Sequence, residues 1–328
     1  MKVLVVKLSS LGDVVHAMPA LQDMRAALPG VRLDWVVEQG FAPLVQRCDG
    51  IGRVIPCALR RWRAAPLAAR TLREWRSFRA DLRRDAYDAV IDLQGLTKSA
   101  LVSRMARLAP GGKRYALANR TEGSSWEAPT RWVAHVAVPV APRTHAVQRS
   151  RVVCARALGY AVPNFLYFGL LAQGAAGGLD AAGHEEVALA HGSSRDDKGW
   201  PEAHWVELGR RLIASGHAVG LPHGNQPERA RSERIAAALG PKARVWPLLA
   251  LGALADRLAG CAGVVGVDSG LSHMAVALDL AHVQIYNFDT AWRTGPPLAN
   301  GRQHSVFAQP TPTVDTVWHA WRTARAHA

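Results

Sequence analysis

Three turns in this 328-residue chain carry side chains suited to chemistry. The first reads Lys7-Leu8-Ser9-Ser10-Leu11-Gly12-Asp13, between a short apolar run and an amphipathic stretch. Gly12 lets a ligand approach the backbone, and a carboxylate at Asp13 lies at the ligand end of a strand. Asp13 reads equally well as a helix cap, a position that favours aspartate whatever the function. The second turn runs from His191 and Gly192 through Ser193, Ser194, Arg195, Asp196, Asp197 and Lys198 to Gly199, Trp200 and Pro201. Its hydroxyls, its lysine and a proline-initiated helix with free N–H groups make an oxyanion grip; the alternative is a solvated charged loop. The third is Gly266-Val267-Asp268-Ser269-Gly270-Leu271-Ser272-His273. There the amides and dipole of a helix N-terminus suit a diphosphate without a metal, Gly270 permits close approach, and Asp268 as a cap or His273 as a structural histidine stay open. Two phosphate-suited turns in one half of the chain favour a joint explanation over two coincidences.

The elements that must position these turns alternate between strand-length apolar runs and helix-length amphipathic ones, the signature of parallel β-α-β units. Strands are predicted over 2–6, 33–37, 53–56 and 89–93, with helices over 13–27, 67–84 and 98–108. After a weaker stretch at 160–183, rich in Pro, Gly and Ala and read as a linker, strands are predicted over 186–190, 218–221, 244–246, 263–267 and 282–286. Helices are predicted over 202–214, 226–239, 251–258 and 271–279. The expected fold is α/β, two Rossmann-like halves facing across a cleft, with ligands at the carboxyl ends of the strands.

Composition narrows the partners. The chain has a net charge of +14 and an isoelectric point near 10.5, which brings an anionic partner into consideration, whether nucleic acid, anionic membrane or phosphorylated substrate, without choosing among them. Residues 53–84 hold ten arginines against Glu74 and Asp81, with Leu72, Trp75, Phe78 and Leu82 at helical spacing. Exposed aromatics interleaved with the basic residues are missing, which argues against nucleic acid. Arginine forks suit phosphate and carboxylate, although a merely solvated basic face is the common explanation of such a run. Cys48, Cys57, Cys154 and Cys261 are scattered, so neither a zinc site nor a disulfide framework is signalled. Residues 3–6 are too brief for a signal-peptide core, and the longest uncharged stretch, 157–179, is broken by Pro163 and several glycines. A cytosolic protein that touches a membrane surface is expected. A dinucleotide oxidoreductase would show a G-x-G-x-x-G turn; Glu38 supplies its acidic residue, but SSLGD lacks the glycines.

Taken together the motifs resemble the bacterial heptosyltransferases, glycosyltransferase family 9. The resemblance runs along almost the whole chain: KLSSLGDVVHAMPAL, RRWR from Arg60, DLQGLTKSA from Asp92, THAVQR from Thr144, RDDKGWP from Arg195, LPHG from Leu221 and GVDSGLSH from Gly266. It implies a GT-B fold with an acceptor-binding domain over 1–165, a donor-binding domain over 166–312 and a C-terminal helix over 313–328 packing back on the N-terminal domain. It implies an inverting, metal-independent transfer of L-glycero-D-manno-heptose from ADP-heptose, a substrate rather than a cofactor, to Kdo of Kdo2-lipid A. Family enzymes acting on a later core acceptor, or a non-catalytic nucleotide-binding relative, are the alternatives. By resemblance Asp13 is the general base. Ser193, Ser194, Lys198 and the amides of Ser269, Gly270 and Leu271 meet the diphosphate, Glu228 the ribose, and Asp268 and His273 line the donor site. Ser10, Gly12, Arg60, Arg61 and Arg63 are implied on the acceptor side. A monomer peripheral to the cytoplasmic face of the inner membrane is expected. One segment departs from the family pattern: Ile285-Tyr286-Asn287-Phe288-Asp289-Thr290-Ala291-Trp292 replaces a Gly-Pro-Thr-Asp-like turn.

Overall fold

Strands that are apolar on both faces have to be covered on both faces, and this chain satisfies that demand twice. The computed structural model describes residues 1–173, 183, 185–298 and 300–328, and divides into two compact units, Met1–Gly169 and Leu170–Ala328. The linker expected over 160–183 falls in part on 174–182, outside the described residues.

The first unit is built from β1 (Lys2–Val6), α1 (Leu11–Ala27), β2 (Arg32–Glu38), α2 (Ala42–Val45), β3 (Ile51–Cys57), α3 (Leu59–Ala64) and α4 (Ala69–Arg83). It continues with β4 (Ala86–Asp92), α5 (Thr97–Met105), β5 (Arg107–Leu117), α6 (Pro129–Val133), β6 (Val136–Val138) and α7 (Ala146–Leu158). Its sheet is wholly parallel in the order β3-β2-β1-β4-β5-β6. Val3 to Val6 of the central strand are fully buried. Helices α1 and α7 pack side by side, and their seam holds a buried two-point pair in which Arg151 Nε and Nη2 donate to Asp23 Oδ2 and Oδ1 at 2.7 and 3.0 Å.

The second unit runs β7 (Glu186–Ala190), α8 (Glu202–Ala214), β8 (Ala218–Leu221), α9 (Gln226–Leu239), β9 (Ala243–Val245), α10 (Leu251–Ala259) and β10 (Gly263–Val267). It closes with α11 (Gly270–Ala277), β11 (His282–Tyr286), α12 (Ala291–Thr294), β12 (Gln303–Phe307) and α13 (Val314–Ala326). The order is β12-β11-β10-β7-β8-β9, again all parallel. Renumbered within its own half, this is the same winding as the first sheet. In each, the chain starts at a central strand, winds to one edge, then returns to begin the other side. The crevice beside that first strand, at the carboxyl ends, is where such sheets hold ligands.

The sequence reading placed several strands well and missed others. Strand β5 escaped because Pro110, Gly111 and Gly112 interrupt its apolar signal. They belong to a register shift against β4, with Gly111 at φ 76° and a side chain at Gly112 excluded by the Tyr87 carbonyl, 2.6 Å from where a Cβ would stand. The final helix, α13, lies on β11, β12 and α8, and buries Val317, Trp321 and Ala324 in the core of the second unit. Its one strongly apolar face is consumed there. Trp321→Ala is therefore expected to destabilise the second unit by about 3–5 kcal/mol, read as an earlier denaturant midpoint in that unit's tryptophan fluorescence.

Candidate functional site

A buried ammonium group organises the first turn. Lys7 continues β1 into the crevice with its side chain only 3% exposed, and its Nζ lies 3.3 Å from Asp13 Oδ1 while donating to the Leu93 carbonyl at 3.1 Å. Arg149, delivered by α7, stands 3.5 Å from the same Asp13 oxygen. The other oxygen accepts from the backbone N–H and hydroxyl of Ser10, at 3.2 and 2.9 Å. Asp13 thus closes the first turn of α1 onto its N-cap residue, Ser10, and is not itself the N-cap. The loop after β4 completes the turn: Gln94 Oε1 accepts from the N–H groups of Leu8 and Ser9, both at 3.0 Å. Burial on its own raises the Asp13 pKa, but Lys7, Arg149 and His16 outweigh it and hold the carboxyl well below the usual carboxylate range. Burial pushes Lys7 down, with Asp13 opposing. Beneath them Asp92 is pushed up to about 6 by burial, against hydrogen bonds from Gly95, Ser99 and Gln94.

The second unit sets another ammonium–carboxylate pair at the matching place. Lys198 Nζ donates to Asp268 Oδ2 at 2.6 Å, joining the loop after β7 to the end of β10. The other oxygen of Asp268 meets His273 Nε2 at 3.4 Å, and Gln284 and Thr294 at 3.3 Å. Asp268 too is pushed up by burial, yet His273 and Lys198 pull it well below the usual range. One of the three donors of Lys198 is thus committed to Asp268, and two remain. Beside the pair, Ser269 occupies the N-cap position of α11 without a side-chain cap bond, its buried hydroxyl having no partner among the described residues, and the N–H groups of Gly270 and Leu271 open the helix. This end of the sheet is equipped to receive an anion.

The two pairs differ in which partner keeps its water. In the first, Lys7 is buried and Asp13 is 34% exposed; in the second, Asp268 is 5% exposed and Lys198 20%. The first turn therefore presents a carboxylate to a ligand and the second an ammonium.

The remaining sequence-derived residues spread around these centres. Ser193 is half-buried, its hydroxyl accepting from Arg195 N at 3.4 Å, while Ser194 is exposed and Arg195 pairs with Asp197. Glu228, in the first turn of α9, accepts from Gly224 N at 2.6 Å and lies over Gly192, where a Cβ would stand 2.7 Å from its carboxyl carbon. A side chain at 192 would displace that carboxylate from its present place. Gly12 sits half-buried in the first turn of α1. Arg60, Arg61 and Arg63 are all exposed on α3; Arg61 is held by Glu74 at 2.6 Å, and Arg60 faces Glu38. His191 is fully buried, bonded to Ser232 at 2.8 Å and pushed down to about 4 by burial, which makes it a structural group.

Sequence reasoning passed over Lys7, Gln94 and Arg149 as site residues, although each lies in a string that it singled out. Lys7 was recoverable as the one charge closing an apolar strand. Arg149 was not, because α7 was unassigned. The departing segment proves wired into the second centre. Asn287 Nδ2 donates to the carbonyls of Asp197 and Gly199 at 2.9 and 2.8 Å, and its Oδ1 accepts from Thr311 at 2.7 Å. Among the described residues no three His, Cys, Asp or Glu side chains are placed to share a metal ion, and no helix is long and apolar enough to cross a membrane. All four cysteines are buried free thiols.

Comparisons with known proteins show the family and the fold. The sequence model of glycosyltransferase family 9 (heptosyltransferase) matches residues 75–317. Lipopolysaccharide heptosyltransferase 1 of Escherichia coli K12 is 40% identical over 290 residues, which is 87% of this chain and 88% of that protein. The structure of E. coli heptosyltransferase WaaC with ADP superposes with a TM-score of 0.85 at 35% identity, over 97% of this chain and 98% of that one. With ADP-2-deoxy-2-fluoro heptose the E. coli structure gives 0.80 at 36%, over the same shares. Two Rossmann-like units in such a chain make the GT-B fold.

The electrostatics are open to direct measurement. In a carbon-detected NMR titration the Asp13 carboxyl is expected to stay ionised below the ordinary value of about 3.9. Lys7→Met, which removes a cation and leaves the burial, should raise that value by about one unit or more, and Lys7→Arg by much less. Asp268→Asn is expected to cost about 3 kcal/mol at most by denaturant unfolding, because Lys198 loses its partner. Since the native carboxyl is held low, that difference is complete at neutral pH and shrinks only as the pH falls below the ordinary aspartate value.

Proposed function

The chain belongs to glycosyltransferase family 9, the heptosyltransferases, and from that premise we propose that it transfers L-glycero-D-manno-heptose from ADP-heptose to a Kdo hydroxyl of Kdo2-lipid A, inverting the anomeric carbon. The observation that carries this reading is the division of labour between the two crevices, one presenting a carboxylate and the other an ammonium beside open helical N–H groups. The acceptor needs a group that takes a proton; the donor needs its leaving diphosphate neutralised.

In this reading the first unit binds the acceptor and the second the donor. The acceptor oxygen bonds to the anomeric carbon as the bond from that carbon to the diphosphate oxygen breaks. The acceptor's proton passes to Asp13, and ADP leaves with the bonding pair. Because Lys7 and Arg149 keep Asp13 a weak base, the proton moves late, once the attacking hydroxyl has acidified by bonding to carbon. Until then the carboxylate's charge favours the oxocarbenium character of the sugar. Lys198, Ser193, Ser194 and the amides of Ser269, Gly270 and Leu271 meet the diphosphate, with Asp268 and His273 fixing the lysine and the helix end. Glu228 holds the ribose. Ser10 and Gly12 shape the acceptor turn, and Arg60, Arg61 and Arg63 meet acceptor phosphate and carboxylate groups. No metal takes part, the chain acts as a monomer, and the reaction belongs at the cytoplasmic face of a membrane that supplies the lipid acceptor.

The test is transfer from ADP-heptose to Kdo2-lipid A with a chelator present. The native chain is expected to give product, and Asp13→Ala and Asp13→Asn to lower kcat by about two to four orders of magnitude while still binding ADP. Loss of native activity under chelation overturns metal independence. ADP binding without transfer to Kdo2-lipid A, but with transfer to a heptose-bearing core acceptor, overturns the assigned acceptor and leaves the donor chemistry standing.

A further inference from the structure

Between α3 and α4 the chain turns through residues 64–69, Ala-Ala-Pro-Leu-Ala-Ala, and all six residues are exposed. Leu67 is 87% exposed, the most of any large hydrophobic side chain described. A lone exposed leucine means little; this one stands in a run without a single polar side chain. The loop's two ends are fixed by an aromatic knot, with Trp62 of α3 edge-on to Trp75 of α4 at 5.5 Å and Phe78 within 6 Å of both. An apolar tip is thus held outward on a packed base.

The tip sits among arginines. Arg60, Arg61 and Arg63 precede it, and Arg70, Arg73, Arg76, Arg79 and Arg83 follow on α4, every one exposed. The carboxylates within the stretch are taken: Glu74 by Arg61 and Arg70, Asp81 by Arg53 and Arg84. Arg63, Arg73, Arg76 and Arg79 have no carboxylate within salt-bridge reach among the described residues. At 100° per residue, Arg73, Arg76, Arg79 and Arg83 fall within an arc of about 120° on the helix side opposite Phe78 and Leu82, and Leu72, 43% exposed, lies inside that arc. The sequence had counted Leu72 with the packed face; it belongs to the basic one.

We propose that residues 64–69 and the outer face of α4 form the surface by which this chain docks on an anionic phospholipid bilayer. Leu67 enters the headgroup region, Leu72 follows at the rim, and the unpaired arginines meet lipid phosphates. The aromatic side chains, which a single-stranded nucleic acid would need for stacking, are turned into the knot, so the exposed combination is aliphatic plus cationic. This rests on the reading that the acceptor is a membrane lipid, and it names the residues that bring the enzyme to it.

The test is co-sedimentation of the full chain with vesicles of phosphatidylcholine, with and without phosphatidylglycerol, alongside transfer to a deacylated, water-soluble acceptor. The native chain is expected to bind the anionic vesicles, less so as salt rises. Leu67→Ser should weaken binding about ten-fold, and Arg73→Gln and Arg76→Gln about five-fold each. None of the three should change turnover of the soluble acceptor or the melting temperature. If the native chain binds anionic vesicles and these variants bind equally well, the docking surface lies elsewhere and this proposal falls, while the membrane reading stands. Absence of vesicle binding by the native chain overturns both. Displacement of the vesicles by single-stranded RNA, lost in the same variants, would make the face a nucleic-acid surface and overturn the lipid assignment.

Discussion

An ammonium taken almost wholly out of water must be paired, and the first unit is arranged around doing so for Lys7. Its partner, Asp13, comes from the helix that follows the same strand, so the turn between them has one geometry that satisfies both charges. Gln94, two residues past the end of β4, fixes that turn from the neighbouring loop. Helix α7 then serves twice: Arg151 pins α1 through Asp23, and Arg149, half a turn away, adds the second cation to Asp13. Helix placement and carboxylate charge state are set by the same seam.

The second unit solves the same problem with the parts exchanged. The buried member is Asp268, at the end of β10, and the lysine comes from the loop after β7. Identical winding of two parallel sheets makes the same crevice available in each, and the order in which charge is buried decides what each crevice shows to a ligand. A shared architecture thereby acquires two opposite chemical characters without any shared motif.

Much of this was legible in the chain. In the second half, the predicted strands at 186–190, 218–221, 263–267 and 282–286 and the helices at 202–214 and 226–239 coincide with those observed, because buried parallel strands there are short apolar runs bounded by glycine or charge. The motif turns fall where expected, since a strand followed by a small-residue turn and a helix admits few other arrangements. What was hidden depended on partners distant in sequence. Helix α7 begins only after a proline-rich bend, and its buried arginines disguise its inner face; β12 pairs at an edge where alternation is weak. Whether Lys198 is free or committed is a matter of where β10 ends, and no local pattern records it.

The side chain of Asn287 joins the loop after β11 to the backbone of the Lys198 loop and to Thr311 ahead of α13, three segments far apart in sequence. Hydrogen bonds tie them into one unit. A replacement loop without an amide at 287 would leave the carbonyls of Asp197 and Gly199 and the hydroxyl of Thr311 without that partner, and so would loosen the turn that carries Lys198. A change at 287 is therefore felt in two other places at once, the Lys198 turn and the segment ahead of the last helix.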